Sequence, residues 1–252
     1  MLKRGLAFAL ALVMLASVSV AGAAWSEVTV DGFKYVDVSD WSKADIEKAM
    51  KLKLNVVYTG QNVKQNIARV DFAEDAAALV GLAYGQDIRT YERYNELQVL
   101  LNKAEKKDVW REMGILKGRG NGYYVDPNTP ITRQEAMTVV ARALELDYDA
   151  YAKTDLSAFS DRSEISNWAM PYVRAMVGAD YIHGRGKVLA PLDNITRAEF
   201  AQIFHNIIGT YITAKGSYDK DIKGSVLIRT DDVELKNLTV DGDLIIGCGA
   251  AD

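Results

Sequence analysis

The stretch Ile195-Thr196-Arg197-Ala198-Glu199-Phe200 has two counterparts earlier in the chain. One reads Ile131-Thr132-Arg133-Gln134-Glu135-Ala136, and the weaker one reads Ile67-Ala68-Arg69-Val70-Asp71-Phe72. The three arginines are evenly spaced, because 133 − 69 and 197 − 133 both equal 64. Two equal intervals with matching residues indicate an internal repeat.

Each copy of the motif begins a stretch with the periodicity of an amphipathic helix. Apolar residues recur at positions i, i+3, i+4, i+7 and i+8, which lie on one face of a helix. The series runs from Phe200 to Ile208 in the third copy and from Ala136 to Leu144 in the second. In the first copy it runs from Phe72 to Val80, with one break at Asp75. The sequence therefore predicts three equivalent helices that each bury one face.

The motif also contains the residues that cap such a helix. Thr196 with Glu199, and Thr132 with Glu135, have the T-x-x-E spacing of a capping box. In this arrangement the threonine hydroxyl accepts a hydrogen bond from the backbone amide of the glutamate, at the third helical position. The glutamate carboxylate accepts one from the backbone amide of the threonine. Such a cap is worth on the order of 1 kcal/mol. The first copy has alanine and aspartate at these positions, so we expect its helix to be less well capped.

A second pattern precedes the motif in two of the copies. An aspartate followed by a tryptophan occurs as Asp161 with Trp168 and as Asp37 with Trp41, whereas the second copy has no obvious equivalent. The sequence therefore predicts that each repeat contains, in order, a helix, a glycine-containing turn, a polar loop and a capped helix.

These residues together resemble the S-layer homology module. The resemblance is strongest from Phe159 to Ile208, and Thr196-Arg197-Ala198-Glu199 matches the short signature of the family. It implies a mainly α fold in which three pseudo-threefold helical repeats form a three-pronged spindle around the capped helices. The residues after the repeats add a short C-terminal β segment to this prediction. The expected repeats are residues 34–85 (weak), 86–150 and 151–210.

The resemblance also implies a function, which is non-covalent anchoring to the bacterial cell wall. The family binds secondary wall polysaccharide attached to peptidoglycan, often through pyruvylated sugars, in grooves between repeats. By position, the implied ligand-binding residues are Arg197, Arg133 and, less securely, Arg69, together with Asp161, Trp168, Asp37 and Trp41. An arginine at the first helical position would lie beside unpaired amides at the positive end of the helix dipole, where a sugar carboxylate could bind.

The two ends of the chain differ from the repeats. Residues 1–23 have a basic start, an apolar run and a final Ala-Gly-Ala, which is typical of a secretory signal peptide; a membrane anchor is the alternative. Residues 211–252 form a linker followed by short β-type runs, which indicate the first turns of a parallel β-solenoid or a small hairpin flap. We expect this segment to be incomplete as a solenoid and capable of self-association.

Composition excludes several classes of protein and site. The chain has 252 residues, of which 49% are hydrophobic and 25% are charged. Its net charge is −4, so it has no overall excess of basic residues that would favour binding to nucleic acid. Its only histidines are His183 and His205, and its only cysteine is Cys248, which leaves little from which to build a metal site or a Cys–His nucleophile. Together with the signal-peptide pattern and the resemblance to the S-layer homology module, this composition predicts a secreted, wall-bound, non-enzymatic protein without cofactor or metal. The alternative is the anchoring front piece of a larger extracellular enzyme or envelope structural protein.

Overall fold

The computed structural model describes residues 25–30, 33–51, 62–83, 117–118 and 126–246. The predicted signal peptide, most of the front half of the second repeat and Cys248 lie outside the described residues. The helices are α1 (Lys43–Lys51), α2 (Arg69–Ala83), α3 (Arg133–Ala143), α4 (Met170–Gly178) and α5 (Arg197–Ile207). The strands are β1 (Trp25–Val30), β2 (Phe33–Ser39), β3 (Thr210–Ile212), β4 (Gly216–Tyr218), β5 (Ile222–Lys223), β6 (Val226–Ile228), β7 (Val233–Leu235), β8 (Val240–Asp241) and β9 (Leu244–Ile246). Across these ranges, no helix is long and apolar enough to cross a membrane.

The three motifs meet in a closed cycle of backbone hydrogen bonds. The amide of Ile67 donates to the carbonyl of Ile195 at 3.2 Å, that of Ile195 to Ile131 at 3.0 Å, and that of Ile131 to Ile67 at 3.0 Å. All three side chains are buried in the main core. Because each segment is bonded to both others, displacing one of them breaks bonds to two neighbours.

The first two amides of helices α2, α3 and α5 are also used within this cycle. Each donates to a carbonyl in the loop before another helix: Arg69 to Thr129, Val70 to Pro127, Arg133 to Asp193, Gln134 to Pro191, Arg197 to Gln65 and Ala198 to Val63, over 2.8–3.1 Å. Helix amides at these positions have no partner within their own helix and must find one elsewhere. Here the neighbouring loops supply it, so these amides are not available to a ligand.

Lys48 on α1 fixes the junction between α5 and the following strands. Its ammonium group donates to the carbonyls of Ile208 and Gly209, directly after α5. It also lies 3.4 Å from Nδ1 of His205, and Oδ1 of Asp45 lies 3.3 Å from the same nitrogen. Burial raises the pKa of Asp45 to about 6 and lowers the pKa of Lys48 to about 8. Helix α1 is thus tied to the point where the helical part passes into the β part.

The prediction of a mainly α fold of three equivalent helical repeats is wrong. Strands open and close the described part of the chain: β1 and β2 form an antiparallel hairpin, and the strands from β3 to β9 form three parallel sheets. The hairpin includes Asp37 and Val38, which the sequence comparison had placed in the front segment of a helical repeat. Residues 25–39 show the alternating pattern of β-type residues that is typical of a strand. The prediction missed it because it relied on the match of this segment to the third copy.

The C-terminal strands wind as parallel coils. Strands β3, β6 and β9 form one sheet, while β4 pairs with β7 and β5 with β8. The strands of the first sheet begin at residues 210, 226 and 244, so successive coils take 16 and 18 residues. Val226, Leu227 and Ile228 of the middle strand are buried. Parallel pairing requires a crossover between partners, so these strands do not form a hairpin.

A close approach between neighbouring coils requires glycine at position 242. The backbone of Gly242 has φ +159°, and an added Cβ would lie 2.5 Å from the carbonyl carbon of Gly224 and 2.6 Å from the nitrogen of Ser225. A real side chain does not tolerate such distances. The coil can therefore turn at this corner only with glycine.

The closed cycle predicts a large effect of truncating a side chain at its centre. Replacing Ile131 with alanine should lower the free energy of unfolding by about 2–5 kcal/mol, because the side chain is fully buried and the surrounding segments are held by hydrogen bonds. Chemical denaturation monitored by circular dichroism measures this change. Leu192→Ala, at a position that is 55% exposed, is the control and should change it by less than about 0.5 kcal/mol. Equal effects of the two substitutions would contradict the importance of the cycle.

Candidate functional site

The signature arginines connect successive motifs through ion pairs. Nη1 of Arg69 lies 2.6 Å from Oε1 of Glu135, and Nη1 of Arg133 lies 2.8 Å from Oε1 of Glu199. Both arginines are almost fully buried, with 3% and 4% of their surface exposed. Further donors of the two guanidinium groups bond to the carbonyls of Lys117 and Leu189. These arginines therefore join one helix start to the next.

The paired glutamates also cap their own helices. Both capping boxes are present in full, one at Thr132 with Glu135 and one at Thr196 with Glu199. In each, Oε2 accepts from the threonine amide at 3.0 Å, which leaves Oε1 for the arginine of the preceding motif. One carboxylate thus both fixes a helix start and neutralises a buried cation. Sequence reasoning recognised the cap but missed the ion pair, although the equal spacing of Arg and Glu in adjacent copies contains the signal.

Glu199 has a second cationic partner, Arg185. Nε of Arg185 lies 2.7 Å from the Oε1 atom that binds Arg133, and its Nη1 lies 2.6 Å from Oδ2 of Asp193. Burial alone would raise the pKa of Glu199, but the hydrogen bond from Arg185 and the charge of Arg133 outweigh it and hold the pKa below its ordinary value. Burial lowers the pKa of Arg133, whereas the bond to Glu199 raises the pKa of Arg185.

A cavity of about 450 Å³ opens beside this network. Its wall combines Trp41 from the region before the first motif, Arg133 from the second motif, Glu199 from the third, and Tyr181 and Arg185 from the segment before the third motif. It therefore lies at a junction between the motifs. The volume is within the range of pockets that bind small molecules.

The wall of the cavity is positively charged and partly aromatic. Lys64, Arg133 and Arg185 line it together with a single carboxylate, that of Glu199. Trp41, which is 52% exposed, offers a flat apolar surface at its edge. The arrangement can hold an anion and pack an aromatic ring against an apolar sugar face.

The third motif and the residues before it match a known family. The sequence pattern of the S-layer homology domain matches residues 158–201. The chain carries an S-layer homology domain. This domain is a binding anchor without catalytic chemistry, and it contains Asp161, Trp168, Arg185, Arg197 and Glu199.

Several relatives share parts of the sequence. The "Surface-layer 125 kDa protein" of Lysinibacillus sphaericus is 30% identical over 160 residues, which cover 53% of this chain and 13% of that protein. The "S-layer protein sap" of Bacillus anthracis is 29% identical over 126 residues, or 50% of this chain and 14% of the relative. The "Amylopullulanase" of Thermoanaerobacterium thermosulfurigenes is 35% identical over 98 residues, or 38% of this chain and 5% of the relative. The chain thus spans less than a sixth of each of these relatives.

Within the S-layer homology domain, Asp161 organises a loop. Its two carboxylate oxygens accept from the amides of Leu189 and Ala190, at 2.9 and 2.7 Å. The carbonyl of Leu189 in turn accepts from Nε of Arg133 at 2.7 Å. Asp161 therefore acts on the cavity indirectly, by holding the loop that positions Arg133.

The remaining predicted site residues lie at different distances from the cavity. Trp168 is 50% exposed but does not line it, and Arg197 is buried at the start of α5. The backbone of Asp37 lies in β2, and its side chain is outside the described residues. Of the six predicted ligand residues whose side chains are described, Trp41 and Arg133 line this cavity. Within the described ranges, no group of three or more His, Cys, Asp or Glu residues could hold a metal ion.

The shared carboxylate predicts a specific loss of stability. Glu199→Gln keeps a side chain that can form the capping box but removes the charge that pairs with Arg133 and Arg185. The free energy of unfolding at pH 7 should fall by about 3 kcal/mol, because a buried guanidinium loses its counter-ion. Glu234→Gln, which removes an exposed partner of Lys236, is the control and should cost less than about 1 kcal/mol.

The same substitution should change the dependence of stability on pH. Because the folded-state pKa of Glu199 is lowered, its contribution is complete above the ordinary glutamate pKa and disappears as the pH falls through the folded-state value. Wild type and Glu199→Gln should therefore differ in free energy of unfolding at pH 7, and this difference should disappear at acidic pH. A stability difference that stays constant with pH would contradict an ionised, paired Glu199.

Proposed function

We propose that this chain is a non-catalytic anchoring protein that binds secondary wall polysaccharide linked to peptidoglycan, without a covalent bond. The observation that carries the proposal is the 450 Å³ cavity, where three cationic side chains and an exposed tryptophan surround one carboxylate. The S-layer homology domain within the chain supports the anchoring role.

The charge of the cavity favours an acidic polymer, such as one with pyruvylated sugars. Three cations, Lys64, Arg133 and Arg185, line the cavity, and two carboxylates, Glu199 and Asp193, pair with the arginines, so cationic groups outnumber anionic ones. A sugar carboxylate can accept paired hydrogen bonds from a guanidinium group. The net charge of the chain is −4, so recognition is local, with no long-range attraction to an anionic polymer.

The aromatic residues favour a carbohydrate over a small inorganic anion. Trp41 and Tyr181 line the same cavity as the cations. Pockets that combine aromatic surface with a few placed polar groups typically bind organic ligands. The polymer would bind with a sugar ring against Trp41 and its acidic group toward the cations.

Three repeats, at residues 34–85, 86–150 and 151–210, remain part of the proposal. The equal spacing of Arg69, Arg133 and Arg197 and the hydrogen bonds that join the three motifs support it. On this basis Trp168 and Asp37 are candidate contacts of further grooves, and the buried Arg69 and Arg197 would act there by holding the motifs together.

The proposed location is the bacterial cell wall or S-layer, reached by secretion through the signal peptide at residues 1–23. The relatives named surface-layer proteins support this location. As an alternative, the chain is the anchoring front piece of a larger extracellular enzyme or envelope structural protein, which relatives named as an amylopullulanase and an exoglucanase support.

Self-association through the C-terminal coils is a further part of the proposal, since Leu244 and Ile246 on β9 are exposed.

Binding to cell walls tests the anchoring role. The purified protein should sediment with intact wall sacculi and lose most of this binding when the secondary polymer is stripped from them. Retention is measured from the protein in the pellet and the supernatant. Equal retention on intact and stripped sacculi would show that the polymer is not the ligand.

Substitution of the exposed tryptophan tests the cavity. Trp41→Ala should weaken binding to intact sacculi at least about tenfold, because it removes the large apolar face in the cavity wall. Leu192→Ala is the matched control, since it also truncates an apolar side chain that is about half exposed but does not line the cavity. If both variants bind like wild type, the polymer binds elsewhere.

A further inference from the structure

Arg185 lies outside the signature motif, and the structure gives it a distinct position in the cavity. Its side chain is 41% exposed, whereas that of Arg133 is buried. Both arginines line the cavity, but Arg133 uses Nε and Nη1 to bind the Leu189 carbonyl and Glu199. Arg185 is therefore the guanidinium group that a ligand can reach most easily.

The local backbone places Arg185 at the tip of a tight turn. Gly184 and Gly186 on either side have φ +74° and +67°, and the amide of Arg185 donates to the carbonyl of Val188 at 2.8 Å. A Cβ at position 184 would lie 2.7 Å from that carbonyl oxygen and 2.8 Å from the ring of Phe159. Glycine is thus required at position 184. The Gly-Arg-Gly sequence holds the arginine at the cavity rather than leaving it on a loose loop.

Two carboxylates hold the guanidinium group of Arg185 in place. Glu199 accepts from Nε and Asp193 accepts from Nη1. The remaining nitrogen, Nη2, makes no hydrogen bond to any described residue. A guanidinium that is fixed on two sides and open on the third loses little conformational entropy when it binds an anion.

We propose that Arg185 is the residue by which the cavity recognises the carboxylate of an acidic sugar, while Arg133 serves mainly to hold the motifs together. This inference rests on the proposed function, because it names the contact that makes binding selective for the acidic form of the polymer. Trp41 packs against the sugar, and Arg185 distinguishes a charged substituent from a neutral one.

A matched pair of small ligands tests this assignment. The probes are the 4,6-O-pyruvate ketal of methyl mannoside and the methyl ester of the same compound, which differ in one negative charge. Affinities are measured by NMR titration or calorimetry. Wild type should bind the acid at least about tenfold more tightly than the ester, as expected for a hydrogen bond between charged groups. Arg185→Gln should lose this preference and bind both probes about equally.

Three variants separate recognition from folding. Arg162→Gln removes an exposed arginine outside the cavity and should keep the preference for the acid. Arg185→Lys keeps the charge without the planar donor geometry and should show an intermediate preference. Asp193→Asn removes a carboxylate that competes for Arg185 and should bind the acid at least as tightly as wild type. Unfolding midpoints verify that each variant is folded.

The outcomes distinguish this inference from the function on which it rests. If wild type prefers the acid and Arg185→Gln keeps the same preference, the assignment of Arg185 is overturned while the proposed function stands. If wild type binds the acid no better than the ester, both are overturned.

Discussion

The ion pair between the arginine of one motif and the glutamate of the next is the interaction on which the centre of this molecule depends. A buried guanidinium without a counter-ion would cost several kcal/mol. The chain meets this requirement with a carboxylate that the helix cap already fixes, as in the pair Arg133 and Glu199. The same pairing joins Arg69 to Glu135. The second and third motifs therefore each supply a glutamate that caps its own helix and pairs with the arginine of the preceding motif.

This arrangement separates the structural part of the motif from the binding part. The amides at the helix starts bond to neighbouring loops, and Arg133 bonds to Glu199 and Leu189. The anion site that an arginine at a helix start would suggest is therefore already occupied by the protein itself. Groups outside the signature, such as Trp41 and Arg185, remain accessible in the cavity.

Local sequence patterns identified the helix starts but not the contacts between them. The T-x-x-E spacing and the apolar periodicity were sufficient to place the starts of α3 and α5 at Arg133 and Arg197. The strands at residues 25–39 were missed because the comparison between copies outweighed their own alternating pattern. Arg185 was missed because its position depends on ion pairs with Glu199 and Asp193, which are distant in sequence. The turn at Gly184 that places Arg185 at the cavity can be recognised only once the fold is known. Hydrogen bonds between distant segments, such as Ile67 to Ile195, have no local signal in a single sequence.

A double-mutant cycle on Arg69 and Glu135 tests most directly whether the signature residues hold successive motifs together. The free energies of unfolding of Arg69→Met, Glu135→Gln, the double variant and wild type give the coupling between the two side chains. Glutamine keeps the capping box, so the cycle isolates the ion pair. For two buried, contacting charges at 2.6 Å we predict a coupling of about 1–3 kcal/mol. A coupling below about 0.3 kcal/mol would contradict a structural role for the pair.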